Sequence, residues 1–246
     1  MAFNKVGIYY IHWEQHDLLW ASITSQVDFV DYIFVLDSSL EKKDLKIPEY
    51  CKHKVEVEHT HKFGSGFNDE YGLGVFEQVD ARNYAMDKVF EKCEYMIPCD
   101  ADEFLSPELY FWARTAGPVI LNIPELQWRT ETGYVISPHR HNRGGHRDTG
   151  FRHIYNPNTP WLKAGKFHKS RHIVFTWDQK YKTEQFNKAW HNHLHYLHWP
   201  IETGTVVNEI TPGNPDFLCN GLFPSAYKSI IEERKINYKF GMRRGH

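Results

Sequence analysis

The sequence predicts an α/β fold in which a mainly parallel sheet is flanked by helices, followed by a less regular C-terminal part. Short apolar runs of strand length alternate with segments of helical periodicity through the first half of the 246 residues. Acidic residues come directly after two of these runs, at Asp37 and Asp100. Because ligands of parallel sheets bind beyond the carboxyl ends of the strands, both acids are candidate site residues.

Each element is predicted from its apolar pattern. Continuous apolar runs are typical of strands covered on both faces, and an apolar stripe at helical spacing indicates a helix. The predicted elements are a strand at 6–11, a helix at 16–26, strands at 32–36 and 54–58, a glycine-containing loop at 62–74, a helix at 76–92, strands at 95–99 and 118–123, and a helix at 225–237. No linker divides the chain, so residues 1–246 are predicted to form one domain with two halves, 1–125 and 126–246.

Composition limits the class of protein. No apolar run approaches the roughly 20 residues that a membrane span requires, and the N-terminus lacks the pattern of a signal peptide. The four cysteines form no CxxC pair, which indicates free thiols of a reducing compartment rather than a zinc site. We therefore expect a cytoplasmic protein without a membrane span.

The acidic cluster in the segment YMIPCDADEFL is the strongest chemical signal. Asp100, Asp102 and Glu103 follow a buried strand, and neighbouring carboxylates repel each other unless a cation, an arginine or water compensates them. A hard divalent ion, Mg2+ or Mn2+, suits such oxygen ligands and leaves coordination sites for substrate phosphates. An EF-hand loop is excluded, because Leu105 and Phe111 stand at its sixth and twelfth positions, where the loop needs Gly and Glu. A solvated acidic turn is the alternative.

Two segments together resemble a known family. The stretch Asp80-Ala-Arg-Asn83, followed by Cys93-Glu-Tyr-Met-Ile-Pro-Cys-Asp-Ala-Asp-Glu-Phe-Leu105, is similar to the core of family 2-like glycosyltransferases with the GT-A fold. Their pattern is an "ARN" helix and then a DxD motif at a strand end. Asp37-Ser-Ser resembles the acid that ends their second strand. The resemblance covers roughly residues 5 to 125.

The resemblance implies roles for individual residues. Asp37 would contact the base or ribose of a nucleoside-diphosphate sugar, expected to be a UDP-sugar, and Arg82 would face the nucleotide or its diphosphate. Asp100 would bind donor ribose or the metal, and Asp102 would be a direct metal ligand. Residues 1–125 would then form the nucleotide-sugar-binding half and residues 126–246 the acceptor-binding half. The sequence departs from the family at Trp13-Glu14, where many relatives carry Asn-Glu.

A histidine-rich stretch between Trp190 and Pro200 offers nitrogen ligands, since neutral imidazole binds metals. Relatives often place an His-Tyr segment near the C-terminus whose histidine completes the metal shell. His195, which precedes a tyrosine, is therefore the predicted third protein ligand, with His193 and His198 as further candidates. Histidines that pack or are solvated without metal are the alternative.

The reaction class implied is transfer of a hexosyl or pentosyl group to an acceptor hydroxyl. The family resemblance favours inversion, which requires a carboxylate to accept the hydroxyl proton. Candidates for this base are Asp178, Asp148 and Glu131, and Asp178 is favoured because it follows the apolar run at 173–175.

A basic segment from Arg129 to His172 indicates the acceptor class. It carries nine Lys/Arg and two acids, whereas the remaining chain carries 20 Lys/Arg and 29 Asp/Glu. The positive electrostatic potential of such a segment attracts anionic partners, namely a nucleic acid, a phosphate-bearing lipid or an anionic glycan. A bacteriophage-type enzyme that modifies hydroxymethylated DNA bases fits this pattern. Alternatively, some of these cations neutralise the acidic remainder or bind the donor diphosphate.

Two other functions remain open at this point. A nucleotidyltransferase also places paired acids at strand ends, although its Gly-rich phosphate motif is not visible. A non-catalytic module that binds sugar nucleotides or glycans on the same scaffold is the third reading.

Overall fold

The computed structural model describes residues 3–13, 16–64, 77–128, 133–155, 161–163, 166–168, 173–185, 191–193 and 208–209. The helices are α1 (His16–Gln26), α2 (Gln78–Phe90) and α3 (Pro107–Thr115), with 3-10 turns at Glu49–Lys54 and Arg147–Thr149. The strands are β1 (Val6–His12), β2 (Tyr32–Asp37), β3 (Val55–His59), β4 (Tyr95–Pro98), β5 (Glu103–Leu105), β6 (Ile120–Trp128), β7 (Gly133–His146), β8 (Arg152–Tyr155), β9 (Trp161–Lys163), β10 (Lys166–His168), β11 (Ile173–Thr176), β12 (Thr183–Gln185), β13 (His191–His193) and β14 (Asn208–Glu209).

The central sheet is mixed, with a parallel side. Within the described residues its order is β3-β2-β1-β4-β7-β6-β13-β5, while β12 pairs with β6 and β14 with β7. The four strands β3, β2, β1 and β4 run parallel, so their carboxyl ends meet at one edge. β7 is antiparallel to both β4 and β6, and so β6 runs in the same direction as β4.

Helices cover both faces of the parallel side. Alternate residues of β1 point to opposite faces because a strand has a two-residue period. Tyr10 packs with Leu18 of α1 and Tyr110 of α3 in one core, whereas Tyr9 packs with Met86 of α2 in the other. β8 and β11 form a separate antiparallel pair whose contacts with α2 extend this second core.

The predicted α/β fold class, with a mainly parallel sheet between helices, is confirmed. The second half is richer in strands than its composition indicated, and β6 runs through the predicted division at residues 125 and 126. The predicted helix at 225–237 lies outside the described residues. No helix within the described ranges combines the length and apolar content needed to cross a bilayer. Cys51, Cys93 and Cys99 are free and buried.

Candidate functional site

The parallel strands bring the predicted acids to one edge of the sheet. His12 of β1 lies beside Asp37 of β2, which lies beside His59 of β3. β4 is the other neighbour of β1 and ends two residues before Asp100. Asp37 and Asp100 therefore sit beyond the same ends of β2 and β4, with β1 between them.

The acidic segment folds into a tight turn that is closed by two reciprocal hydrogen bonds. The Glu103 amide donates to the Asp100 carbonyl at 3.0 Å, and the Asp100 amide donates to Glu103 Oε2 at 2.9 Å. Glu103 thus holds the turn, and Asp102 within it is 9% exposed. Asp100 is the more accessible carboxylate, with a side chain 35% exposed.

Two arginines compensate two of the three acids. Arg82 Nη2 lies 3.0 Å from Asp100 Oδ1, and Arg143 binds both oxygens of Glu103 at 2.7 and 3.2 Å. Burial alone would lower the pKa of both guanidiniums, but the neighbouring carboxylates raise it, so both arginines stay charged. Arginine was one of the partners that the sequence argument allowed. Two arginines therefore compensate much of the negative charge of this turn.

Asp37 is a buried carboxylate with one oxygen that accepts no hydrogen bond from the described residues. Its side chain is 1% exposed, and Oδ1 accepts the Ser39 amide at 3.1 Å. Oδ2 is buried and has no hydrogen-bond partner among the described residues. The ring nitrogens of His59 and His61 lie 2.9 and 2.8 Å from the Ser39 carbonyl and so hold the chain just after Asp37. Leaving such an oxygen unpaired is unfavourable, so a water molecule, an ion or a ligand is expected to pair with it.

Arg82 is supported from behind by residues that the sequence analysis did not single out. Its charge acts on the buried hydroxyl of Tyr9, and that hydroxyl contacts Nε2 of His153. Asn83, the next residue of α2, donates to the His153 carbonyl at 3.0 Å and accepts its amide at 2.9 Å. The Asn83 contacts join residues 70 apart in sequence, so no local pattern could have revealed them.

Part of the histidine stretch lies next to the acidic turn. β13 pairs antiparallel with β5, and its residue His193 is the register partner of Glu103. This register places the backbone of His193 beside that of Glu103, the residue after Asp102. His195 and His198 lie outside the described residues. Among side chains that the structure describes, no group of three or more His, Cys, Asp or Glu is arranged to hold a metal ion.

The three predicted proton acceptors are not brought together. Asp148 follows β7 beside His146, the register partner of Tyr95 at the start of β4, and the Asp178 amide donates to the Thr149 carbonyl at 2.9 Å. Both acids therefore lie near the amino end of β4, whose four residues span roughly 13 Å. The structure does not bring either of them beside Asp100. Glu131 lies outside the described residues.

Asp178 is also electrostatically unsuited to take a proton. Its carboxylate lies 2.8 Å from the Lys180 ammonium on the surface. Hydrogen bonds from the Lys180 side chain and backbone lower the pKa of Asp178, and a lower pKa makes a weaker base.

The described arginines of the basic segment face acids of this same chain. Arg143 binds Glu103, Arg152 lies 2.8 Å from Asp87, and Arg147 lies 3.8 Å from Glu94. These three cations therefore neutralise part of the acidic remainder, which is the alternative that the charge distribution left open. The other Lys and Arg side chains of the segment lie outside the described side chains.

The chain resembles known proteins in structure but not in sequence. No protein-family model matches the chain, and no curated protein matches it in sequence. Two of the solved structures that resemble it are of the galactosyltransferase LgtC. The complex with donor and acceptor sugar analogues has 14% identity and a TM-score of 0.33, over 49% of this chain and 46% of that one. An active-site mutant has 12% identity and a TM-score of 0.33, over 55% of each. The chain thus spans about half the length of these structures.

Proposed function

We propose that this protein is a metal-dependent glycosyltransferase that moves a hexosyl or pentosyl group from a nucleoside-diphosphate sugar, a UDP-sugar, to an acceptor hydroxyl. The observation that carries the proposal is the shared sheet edge: a buried acceptor, Asp37, lies across β1 from a turn that contains Asp100 and Asp102. This arrangement supports the resemblance of the sequence to family 2-like glycosyltransferases with the GT-A fold.

The donor would lie across this edge. Oδ2 of Asp37 offers an acceptor to a ribose hydroxyl or a base N–H. Arg82, whose fixed fork of donors matches phosphate oxygens, would face the diphosphate from its position beside Asp100. A base on one side of β1 and a diphosphate on the other would place the transferred sugar beyond the acidic turn.

Asp100 and Asp102 would hold the metal ion, Mn2+ or Mg2+. Their carboxylate oxygens are the ligands that these hard cations prefer, and Asp100 is accessible enough to bind one. The register of β13 against the turn supports a histidine as the third ligand, and His195, His193 and His198 remain the candidates. When bound, the ion would offset charge on the departing nucleoside diphosphate.

An inverting reaction needs a carboxylate near the acceptor hydroxyl. We propose Glu131 ahead of Asp178 and Asp148. β6 runs in the same direction as β4. Its last residue, Trp128, therefore lies toward the edge of the sheet at which β4 ends and Asp100 follows. Residues 129–132 connect that strand end to the start of β7.

The acceptor would be anionic, because the segment from Arg129 to His172 remains rich in cations beyond the three arginines with acidic partners. Hydroxymethylated bases of DNA are one such acceptor, which an enzyme of bacteriophage type would flip out of the duplex. A gel shift with duplex DNA at low and high salt tests this choice. Absence of salt-sensitive binding would argue for a lipid-linked phosphate or an anionic glycan instead.

The decisive experiment is a donor screen with nucleoside-diphosphate sugars in Mn2+, with EDTA and Asp102→Asn as controls. We expect slow hydrolysis of one donor that EDTA and the substitution both abolish. Release of pyrophosphate from a nucleoside triphosphate would instead indicate a nucleotidyltransferase. Tight nucleotide binding without any turnover, with or without acceptors, would indicate a non-catalytic binding module.

A further inference from the structure

A buried polar network lies beneath the acidic turn. Its members are the side chains of Tyr10 in β1, Ser22 and Gln26 in α1, and Tyr110 in α3, and all four are fully buried. Ser22 and Gln26 are four residues apart, so they lie on one face of the helix. Burial of polar groups is unfavourable unless each is hydrogen-bonded, and a network that meets this condition fixes one geometry of the core.

Gln26 binds the strand that follows the acidic turn. The Leu105 amide donates to Gln26 Oε1 at 3.3 Å, and the hydroxyl of Tyr110 donates to the same oxygen. Because a backbone N–H can only donate, the atom that it meets must be the side-chain oxygen, which fixes the orientation of the Gln26 amide. Its nitrogen then donates to Ser22 Oγ at 2.9 Å and to the Tyr10 oxygen at 2.8 Å.

Ser22 binds the turn itself. Its hydroxyl donates to the Glu103 carbonyl at 2.6 Å, because a carbonyl oxygen can only accept. With that proton committed, Ser22 Oγ accepts from Gln26 and from the hydroxyl of Tyr10, which lies 2.9 Å away. The Glu103 carbonyl and the Leu105 amide thus leave the protons of the network one consistent arrangement.

The network reaches Asp100 through Glu103. Ser22 holds the Glu103 carbonyl, while the amide and the carboxylate of Glu103 bind the carbonyl and the amide of Asp100. Asp102 lies between these two residues. A displacement of the Glu103 backbone from α1 would therefore change the positions of both aspartates.

We propose that Ser22 and Gln26 are positioning residues that hold the acidic turn, and with it Asp100 and Asp102, in place for the metal ion and the donor diphosphate. This inference rests on the proposed function. Both side chains are fully buried and act only through the backbone of Glu103 and Leu105. The physical basis is preorganisation: carboxylates on a rigid support need not be ordered when a cation binds.

The test compares Ser22→Ala with a matched control, Thr149→Val. Thr149 is also fully buried, and its hydroxyl donates to a backbone carbonyl, that of His146, at the same distance of 2.6 Å. His146 is the register partner of Tyr95 at the amino end of β4, away from the acidic turn. We expect similar losses of unfolding free energy in urea for the two variants.

The affinity for Mn2+, measured by electron paramagnetic resonance, should separate these variants. Binding should weaken about tenfold in Ser22→Ala, as is usual when a residue that supports metal ligands is lost, and should be unchanged in Thr149→Val. An equal loss in both variants would show a general effect of destabilisation and would overturn the positioning role.

A second measurement needs no ligand. Hydrogen exchange of the Glu103 and Leu105 amides reports how firmly the turn is held. Ser22→Ala and Gln26→Met should each speed exchange of these amides at least about tenfold relative to those of β2, and Thr149→Val should not. Ser22→Ala decides alone if Gln26→Met does not fold. Unchanged exchange of both amides would show that α1 does not hold the turn.

The outcomes also separate this inference from the proposed function. If the wild type binds no Mn2+ while both amides exchange faster in Ser22→Ala, the metal dependence of the proposed function fails and the support of the turn by α1 stands. If the wild type binds Mn2+ and Ser22→Ala binds it equally well, the function stands and the inference about Ser22 is wrong.

Discussion

Arg143 of β7 donates to both carboxylate oxygens of Glu103, with its Nη2 only 2.7 Å from Oε1, and the two side chains are 14% and 3% exposed. This buried pair joins the antiparallel part of the sheet to the acidic turn. Because Glu103 also accepts the Asp100 amide, the guanidinium stabilises the carboxylate that closes the turn.

Removal of Arg143 should be strongly destabilising. Arg143→Met leaves Glu103 as an uncompensated buried charge, and breaking a buried pair in this way costs about 3–5 kcal/mol. Urea unfolding followed by circular dichroism measures the loss. The double variant Arg143→Met, Glu103→Gln should recover a substantial part of it, since Gln retains an oxygen for the Asp100 amide. Equal stability of the single and double variants would show that the charge pair is not the cause.

Gly144 should not tolerate a side chain. Its φ is +134°, and an added Cβ would lie 2.3 Å from the Met96 carbonyl oxygen, where β7 passes β4. Gly144→Ala therefore combines backbone strain with a clash against backbone, and we expect a loss of at least about 2 kcal/mol. The matched control is Gly117→Ala, whose Cβ would meet nothing within 4 Å. A loss no larger than that of the control would contradict the strained geometry.

Stability should fall in mild acid because of His153. Its folded-state pKa is lowered from 6.5 to about 2 by burial, while in the unfolded chain it titrates near 6.5. Between these pKa values the unfolded state binds one more proton than the folded state. The contribution of neutral His153 to the free energy of unfolding is therefore complete above about pH 6.5 and declines by about 1.4 kcal/mol per pH unit below it. The comparison of wild type with His153→Gln across pH 4–7 measures this slope. Parallel stability curves for the two proteins would mean that His153 is not buried as a neutral ring.

The proposed metal site depends on Asp102. A manganese titration followed by electron paramagnetic resonance should show binding to the wild type, and Asp102→Asn should weaken it by at least about a hundredfold, more than substitutions outside the ligand set usually do. Asp148→Asn removes an exposed acid at the other end of β4 and should bind like the wild type. Equal affinities of the wild type and Asp102→Asn would rule Asp102 out as a ligand.

The sequence predicted the parallel side of the sheet well, for a physical reason. β1, β2 and β4 are buried on both faces. Strands in this environment are almost entirely apolar, so a continuous apolar run in the sequence is enough to predict them. Once these strands are parallel, Asp37 and Asp100 must lie at the same edge. That prediction needed no knowledge of any contact between distant residues.

The remainder could not be predicted from local pattern. β7 has 14 residues, among them three glycines and several histidines and arginines, and it becomes a strand by pairing between β4 and β6. Arg143, the ion-pair partner of Glu103, is 40 residues away in sequence. The placement of Asp148 and Asp178 follows from how β7 and β11 turn, which the apolar run before Asp178 does not specify.

Asp37 offers a prediction in which stability and binding change in opposite directions. Its Oδ2 is buried without a hydrogen-bond partner among the described residues, and burial of an unpaired polar atom is unfavourable. Asp37→Asn keeps an Oδ1 acceptor for the Ser39 amide and removes the carboxylate charge. We therefore expect unfolding free energy that is unchanged or higher by up to about 1 kcal/mol.

The same substitution should weaken UDP binding by about tenfold or more, since a ribose hydroxyl or base N–H would lose its charged acceptor. Calorimetry with UDP, beside urea unfolding, measures both effects on one protein preparation. Asp31→Asn is the matched control: Asp31 also accepts a backbone amide, that of Val6, but it pairs with Arg114 and lies at the amino end of the sheet. It should lose stability and retain affinity. If Asp37→Asn instead loses stability while binding UDP normally, Asp37 is a structural residue and the base or ribose of the donor lies elsewhere.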